Sequence, residues 1–244
     1  MTSKKLGVIG GMGSLATINF YERVIKNTVA ANDQEHIDMV ILNHATMPDR
    51  TNAILTGNGQ LFLNAVKTDI ELLEMAGAQN IAIPCNTSHY YYREMQSMTD
   101  INIINMVEDT ARFVHDYYGE QSKVGILATD GTISTGVYKD ACTNYQVEAF
   151  HPNTDIQAKV MDIIYHIKAD VDYSALELEK IIQDMIKIEG CKCVILGCTE
   201  LSTIRLSNEM KKYCIDPMEI LAENAITLSG KNVKNPIGSE RAYI

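Results

Sequence analysis

The most constraining feature of this chain of 244 residues is an internal repeat. The first pair of matching segments reads LGVIGGMGSLATINFY and VGILATDGTISTGVYK, and the second reads MAGAQNIAIPCNT and IEGCKCVILGCTE. Three pairs match in the same order along the chain: 6–21 with 124–139, 75–87 with 188–200, and, more weakly, 103–111 with 214–222. Three ordered matches predict that one structural unit occurs twice.

Short apolar runs that are typical of strands alternate with helical patterns in both halves of the chain. These runs lie at Leu6–Ile9, Met39–Leu42, Ile81–Ile83, Ile101–Ile104, Val124–Leu127 and Cys193–Leu196. The alternation predicts an α/β fold with parallel sheets. Together with the repeat, it predicts two similar parallel-sheet α/β domains related by a pseudo-twofold axis. We expect residues 1–111 plus 215–244 in the first domain and residues 112–214 in the second.

The ends of several helices can be predicted from single residues. Ser14 is expected to cap the first helix, and Gly77 and Gly190 stand where two later helices are expected to end. The first helix carries an apolar face at helical spacing, formed by Leu15, Ile18, Tyr21, Ile25 and Val29.

Composition excludes several classes of function. The net charge is −10, with 21 Lys and Arg against 31 Asp and Glu, and the absence of a basic run argues against nucleic-acid binding. No apolar run approaches the roughly 20 residues that span a bilayer, and the N-terminus lacks a signal-peptide pattern. We therefore expect a cytoplasmic protein with a small-molecule ligand, and an anionic ligand would need cations placed locally in the site.

The repeat aligns Cys85 with Cys198, each just after a predicted strand. Ligands of open parallel sheets bind beyond the carboxyl ends of the strands. If the two domains face each other, the two thiols lie on opposite sides of a cleft between them, where we expect the active site. The other four cysteines are predicted to be buried small residues rather than a disulfide framework; they are Cys142, Cys191, Cys193 and Cys214.

Two opposed thiols suit inversion of a stereocentre. One thiolate removes a proton from one face of a carbon, and the other thiol returns a proton to the opposite face. Asn86, Thr87 and Thr199 follow the two cysteines, and with nearby backbone N–H groups they can bind a substrate carboxylate as its charge increases. The sequence therefore predicts proton transfer, with inversion, at the carbon next to a substrate carboxylate.

These segments resemble the motif set of the aspartate/glutamate racemase superfamily. The resemblance covers nearly the whole chain, and GGMG and MPDR favour the aspartate racemase branch; the motifs are VIGGMGSLATINFYERV, MPDRT, IPCNTSH, ATDGT and LGCTEL. It implies a two-domain fold with the active site between the domains, a homodimer, an amino-acid substrate, and neither pyridoxal phosphate nor a metal as cofactor. Aspartate is the expected substrate, with glutamate or a broader set of amino acids as the alternative.

The resemblance also assigns roles to single residues. Cys85 and Cys198 match the catalytic cysteines, and Arg50 and Lys168 match cations that select a second substrate carboxylate. Glu200 is expected either to bind the substrate ammonium or to tune Cys198. Ser14 departs from the proline common in the family. Residues that match carboxylate- or ammonium-binding positions, or the substrate-contacting glycine turn, are Met12, Ser14, Asn86, Thr87, Thr132 and Thr199.

Other functions fit parts of the sequence. Gly11–Ala16 matches the G-x-G-x-x-A pattern of a dinucleotide-dependent oxidoreductase, although the second strand is followed by Asn-His-Ala rather than an acidic residue. On a helix, His89 would lie one turn from Cys85, so the two side chains could contact each other and form the Cys-His pair of a cysteine hydrolase. A metal site on the cysteines at 191, 193 and 198 lacks a ligand knuckle. A non-catalytic amino-acid-binding protein would not require both thiols.

Overall fold

The protein was analysed as a computed structural model that describes residues 3–169 and 174–238. The chain divides into two compact units. The first contains the described residues up to Met106 and those from Met218 onward, and the second is Val107–Pro217. Each unit contains a four-stranded sheet in which the paired strands are parallel. The predicted α/β class with two parallel sheets is therefore confirmed.

The first unit has the strand order β2-β1-β3-β4. Its strands and helices are β1 (Leu6–Gly10), α1 (Ser14–Asn27), β2 (Met39–Asn43), α2 (Arg50–Leu55), α3 (Gly59–Met75), β3 (Asn80–Ala82), α4 (Tyr92–Gln96), β4 (Asn102–Ile103) and, from the end of the chain, α11 (Pro217–Leu228). Helices and loops cover a core in which Phe62, Val66 and Ile70 of α3 pack with Ile9 and Ile81 of the sheet.

The second unit has the equivalent order β6-β5-β7-β8. Its strands and helices are α5 (Met106–Tyr118), β5 (Lys123–Ala128), α6 (Asp130–Ser134), α7 (Val137–Asn144), β6 (Glu148–Phe150), α8 (Thr154–Ala169), α9 (Leu176–Lys187), β7 (Cys193–Gly197), α10 (Asn208–Lys211) and β8 (Cys214–Ile215). Apolar residues of α8 and α9 pack against β5 and β7 to form its core. None of the helices in the described ranges is long and apolar enough to cross a membrane.

Strand registers within the two units agree with the sequence repeat. Leu6 pairs with Asn80 in the first sheet, and Val124 pairs with Cys193 in the second; both positions are related by the offsets of the repeat. The next strand pair agrees as well, because Ile81↔Ile103 corresponds to Val194↔Cys214. The repeat therefore describes the same local architecture in both units.

The start of α1 differs from the prediction. Gly13, in an extended conformation, is the N-cap residue, and Ser14 lies inside the helix. The Thr17 hydroxyl, one turn into the helix, instead ties down the preceding loop, because it accepts from the Gly11 N–H at 2.9 Å and donates to the Gly13 carbonyl at 3.0 Å. The expected cap at Ser14 was wrong because the helix begins at Ser14 itself, and a capping side chain must belong to the residue before the first helical one.

The buried face of α1 is not its most apolar face. Leu15 and Ile18 are 50% and 61% exposed in the single chain, and the core side is formed by Ala16, Thr17, Phe20 and Val24. Periodicity alone favours the larger apolar side chains. The close approach of α1 to the sheet instead selects smaller side chains and one phenylalanine.

Helix α11 carries two acidic side chains that tie the C-terminal chain of the first unit to its body. Glu219 accepts from Arg23 at 2.7 Å and from Asn27 at 2.6 Å, and Glu223 accepts from the Ile237 N–H at 2.5 Å. Burial raises the pKa of Glu223 to about 7, with a smaller raising effect from the charge of Glu219 and an opposing effect from the Ile237 N–H. Glu223 is therefore more easily protonated in the folded chain than in the unfolded chain.

Replacing Glu223 should change the pH dependence of stability. The folded pKa is raised from 4.5 to about 7, so the wild type loses stability as pH rises through this interval. Glu223→Gln keeps the acceptor for Ile237 and removes the charge. We expect a higher melting temperature than wild type at pH 8.5 and a much smaller difference at pH 4.5, measured by circular dichroism. Glu71→Gln, on an exposed part of α3, is the control; equal effects of the two substitutions would contradict the assignment.

Candidate active site

Cys85 lies in the loop that follows β3, just before a 3₁₀ turn at Thr87–Tyr91. Its side chain is buried. Its carbonyl oxygen accepts two hydrogen bonds, from the Ser88 hydroxyl at 2.7 Å and from His89 Nδ1 at 2.8 Å. Within the described residues, its sulfur has no hydrogen-bonding or ionic partner. The backbone of this loop is thus held firmly while the thiol is left available.

His89 fixes this loop through both ring nitrogens. The Met106 N–H donates to Nε2 at 3.3 Å, so Nε2 is an acceptor and Nδ1 carries the proton that it donates to Cys85 O. Burial lowers the pKa of His89, against the opposing effect of the carbonyls of Cys85 and Ile104. The ring is therefore neutral and contacts the Cys85 backbone rather than its sulfur, which argues against a Cys-His hydrolase.

Cys198 directly follows β7 at the equivalent position of the second sheet. It is buried, and its Sγ donates to Glu200 Oε2 at 2.9 Å. The Thr199 hydroxyl is 3.4 Å from the same oxygen, and Lys168 Nζ lies 4.0 Å from the other oxygen, Oε1. The second thiol therefore has a carboxylate partner, whereas Cys85 has none in the described part of the chain.

The surroundings of Cys198 favour its neutral form. Burial is the largest cause that raises the pKa of this thiol, and the charge of Glu200 and the hydrogen bond to its carboxylate raise it further. Lys168 and the Glu200 backbone N–H act in the opposite direction. Because the three effects that raise the pKa outweigh the two that lower it, Cys198 is protonated near neutral pH.

Arg50 is a buried cation without an acidic partner among the described residues. It begins α2 and is only 9% exposed. Its Nη1 donates to Pro48 O at 3.1 Å and its Nη2 to Met12 O at 3.4 Å, while its buried Nε has no partner. A guanidinium buried among neutral acceptors is costly unless an anion compensates its charge. Arg50 is therefore well suited to bind a carboxylate.

The other predicted site residues also follow strand ends. Met12 is buried and Ser14 half-buried after β1, and Thr132 lies in α6 after β5, where its hydroxyl is 3.1 Å from that of Thr129. Asn86 and Thr87 are buried beside Cys85. The first unit contains six of the predicted site residues and the second contains five: Met12, Ser14, Arg50, Cys85, Asn86 and Thr87, and Thr132, Lys168, Cys198, Thr199 and Glu200.

Packing within the first unit explains a glycine of the G-x-G-x-x-A pattern. Gly11 has φ +89°, and a Cβ atom there would lie 2.4 Å from the backbone of His44. The Gly11 N–H is bonded to Thr17, so it is not directed at a phosphate. The glycine allows the loop after β2 to approach the turn after β1, and the pattern requires no dinucleotide.

Sequence reasoning missed a polar pair beside this turn. Nδ1 of His44 lies 3.1 and 3.0 Å from the two carboxylate oxygens of Asp69, which is buried on α3. The sequence did contain a signal, because Asp69 shares the apolar face of α3 with Val66 and Leu73. An acidic residue on such a face indicates a buried partner.

The remaining four cysteines are buried and form no disulfide. Burial raises the pKa of Cys142 to about 12 and that of Cys191 to about 11. Cys193 lies in β7 and Cys214 in β8. Their thiols are therefore poor nucleophiles, as expected for structural cysteines.

Comparisons with known proteins agree with this architecture. Residues 9–225 match the family model described as Asp/Glu/Hydantoin racemase. The structure of Picrophilus torridus aspartate racemase is 31% identical, with a TM-score of 0.80 covering 95% of this chain and 96% of that one. An aspartate racemase homologue from Pyrococcus horikoshii OT3 shares the fold at 22% identity, with a TM-score of 0.76 covering 93% and 99% of the two chains. The broad specificity amino-acid racemase RacX of Bacillus subtilis is 27% identical over 236 residues, 91% of this chain and 96% of RacX.

The neutral His89 gives a testable pH dependence. Its folded pKa lies below the ordinary value of 6.5, so the unfolded chain binds more protons and stability is lost as pH falls below about 6.5. We expect His89→Gln to lower the free energy of unfolding at pH 7.5 by about 1–3 kcal/mol and to flatten its decline between pH 7 and pH 5. Urea denaturation measures both, with exposed His166→Gln as the control. A decline as steep as that of wild type would contradict the neutral assignment.

Proposed function

The chain belongs to the Asp/Glu/hydantoin racemase family, and we propose that it interconverts L- and D-aspartate without a cofactor, with Cys85 and Cys198 as the two proton-transfer groups. The supporting observation is the equivalence of the two thiols. Each follows the third strand of its sheet, and the register of that strand with its neighbours matches in the two units. A duplicated unit thus supplies two like acid–base groups.

In this proposal the thiols act on opposite faces of one α-carbon. One thiolate takes the α-proton and becomes a thiol, leaving a carbanion whose charge spreads into the carboxylate. The other thiol gives its proton to the opposite face and becomes a thiolate. Positioned acid–base groups of this kind contribute roughly 10²–10⁴-fold each to the rate. Reaction from the other enantiomer runs through the same steps in reverse.

The loops around the thiols provide donors for the developing negative charge. Asn86 and Thr87 are buried beside Cys85, and Thr199 is buried beside Cys198. Thr132 is buried in α6, at the end of the neighbouring β5. We assign these side chains, with the backbone N–H groups of the turns, to the substrate carboxylate and amino group. Donors fixed before the reaction stabilise the carbanion without reorganisation.

Arg50 supports an acidic substrate. Among the residues that the structure describes, its buried guanidinium donates only to neutral carbonyl groups. A side-chain carboxylate would therefore supply the missing counter-charge and accept from the planar fork. The protein as a whole is anionic, which makes a local cation necessary for a dicarboxylic amino acid. Lys168, the second cation predicted for this role, contacts Glu200 and would reach a substrate carboxylate only in competition with it.

A broader substrate range is the second candidate. It is supported by the similarity to RacX, whose name describes a broad specificity amino-acid racemase. Glutamate remains the alternative among acidic substrates, because an arginine fork accepts carboxylates on side chains of either length. The two candidates differ in whether neutral amino acids are turned over.

A panel experiment tests the proposed function. The purified chain, without added cofactor, is incubated in deuterated water with single enantiomers of aspartate, glutamate, alanine and serine. Exchange at Cα is followed by NMR, and inversion by chiral chromatography. We expect exchange with inversion for aspartate above all. Equal turnover of the neutral amino acids would support the broad-specificity candidate, and no exchange with any of them would refute the proposal.

Replacement of either proposed catalytic thiol should abolish racemisation. A serine hydroxyl is far less acidic than a thiol, so Cys85→Ser and Cys198→Ser should each reduce inversion of aspartate at least about 10²-fold. Cys214→Ser is the control, because its hydroxyl can keep the contact with Met210 O that the sulfur makes at 3.4 Å. Chiral chromatography measures inversion, and full turnover by either catalytic variant would rule out the two-thiol scheme.

Replacement of Arg50 should discriminate between substrates. Loss of charge-assisted hydrogen bonds costs about 1.5–3 kcal/mol, so Arg50→Ala should raise the KM for aspartate roughly 10–100-fold and leave that for alanine or another neutral amino acid nearly unchanged. Exposed Arg205→Ala is the control. Kinetic constants from initial rates decide the matter, and parallel losses for acidic and neutral substrates would show that Arg50 does not select the side chain.

A further inference from the structure

The repeat is asymmetric immediately after the two proposed catalytic cysteines. Aligning Cys85 with Cys198 places Thr87 opposite Glu200. Glu200 is buried, and its carboxylate contacts the Cys198 sulfur at 2.9 Å. Among the described residues, no acidic group contacts Cys85. Two otherwise equivalent thiols therefore occupy different electrostatic environments.

The contact between Cys198 and Glu200 defines where the proton lies. An ionised carboxylate only accepts hydrogen bonds, so the thiol must donate and Cys198 is protonated. Lys168 Nζ lies 4.0 Å from the other carboxylate oxygen and helps to orient the Glu200 carboxylate. The cation thus acts on the thiol through Glu200 as well as directly.

The other groups around Cys198 do not change this balance. Tyr138 is fully buried beside it, and burial raises the pKa of its hydroxyl, so the ring is neutral. Asp216, which acts on Tyr138, accepts from the Ser202 hydroxyl at 2.7 Å. Glu200 and Lys168 are therefore the charges that govern Cys198.

We propose that Glu200 is a positioning residue that keeps Cys198 protonated between turnovers and takes up its proton when Cys198 acts as the base. This inference rests on the proposed function and adds that the two thiols are not interchangeable. Of the two roles expected for Glu200 from the sequence, it selects the effect on Cys198 and excludes contact with the substrate ammonium. Glu200 acts through Cys198 and does not touch the substrate.

Every proton is accounted for over one turnover of this scheme. Before reaction both thiols are protonated and Glu200 is ionised. The Cys198 proton moves to the Glu200 carboxylate, the Cys198 thiolate removes the α-proton, and the Cys85 thiol protonates the opposite face. The products are the inverted amino acid, the Cys85 thiolate, the Cys198 thiol and neutral Glu200. Solvent water then carries the proton of Glu200 back to Cys85, and the opposite enantiomer follows the reverse path.

Site-specific alkylation without substrate tests this inference. The full-length protein is treated with iodoacetamide across a range of pH, and the modification of Cys198 and Cys85 is quantified separately by peptide mass spectrometry. In Glu200→Gln, Cys198 should react several-fold faster at pH 7 and its pH midpoint should fall. In Lys168→Met the midpoint should rise. Exposed Glu209→Gln is the matched control, and the Cys85 rate is the internal reference in every variant.

Kinetics distinguish this role from direct substrate binding. If Glu200→Gln leaves the Cys198 profile unchanged and raises the KM for every amino acid, Glu200 binds the substrate ammonium and the inference is overturned. If Glu200→Gln does not fold, an unchanged Cys198 profile in Lys168→Met overturns it equally. The pH profile of Cys198 alkylation could also shift in Glu200→Gln while the wild-type protein exchanges no amino acid in deuterated water. That outcome would refute the proposed function and the proton transfer to Glu200 during turnover, and the coupling between Cys198 and Glu200 would stand.

Discussion

Burial of both faces of a parallel strand leaves polar chemistry only at the strand's end. In β1 and β7 every residue is buried, so these strands can carry almost nothing but aliphatic and small side chains. Polar side chains and irregular backbone therefore collect where the strands stop. The sequence from Cys85 to Thr87 and the sequence from Cys198 to Glu200 occupy such positions, and their buried polar atoms depend on the turns that follow for hydrogen bonds.

Much of this arrangement is predictable from the sequence, because long apolar runs and a repeat are strong signals. The strands around Val8, Ile41 and Ile195 form where predicted, and strand pairing follows the repeat. β6 was missed because its three residues lack a distinct pattern. The buried face of α1 and the pairing of His44 with Asp69 were missed for a different reason. Both depend on which elements approach closely, and spacing along one helix does not contain that information.

In the candidate site, too, the sequence indicates which residues matter, whereas the fold determines their protonation and their partners. Its cysteines and Arg50 stand out in the sequence, but their states depend on neighbours that only the fold brings near. His89, one turn after Cys85, is kept neutral by its burial, and the Met106 N–H donates to its Nε2. Lys168, in the last turn of α8, lies 4.0 Å from the Glu200 carboxylate. Burial raises the electrostatic importance of each of these contacts, because the surrounding medium screens charge less than water does.

The unlike surroundings of the two sulfur atoms have a consequence for mirror-image substrates. Two enantiomers have the same free energy in solution, so a catalyst that interconverts them has equal kcat/KM values in the two directions, however dissimilar its acid and base groups. A carboxylate beside one sulfur alone changes kcat/KM equally for both enantiomers, and any difference between the two enantiomers lies in how kcat and KM divide. Such a catalyst has a lower KM for one enantiomer and a lower kcat for that same enantiomer, and the two differences are the same factor.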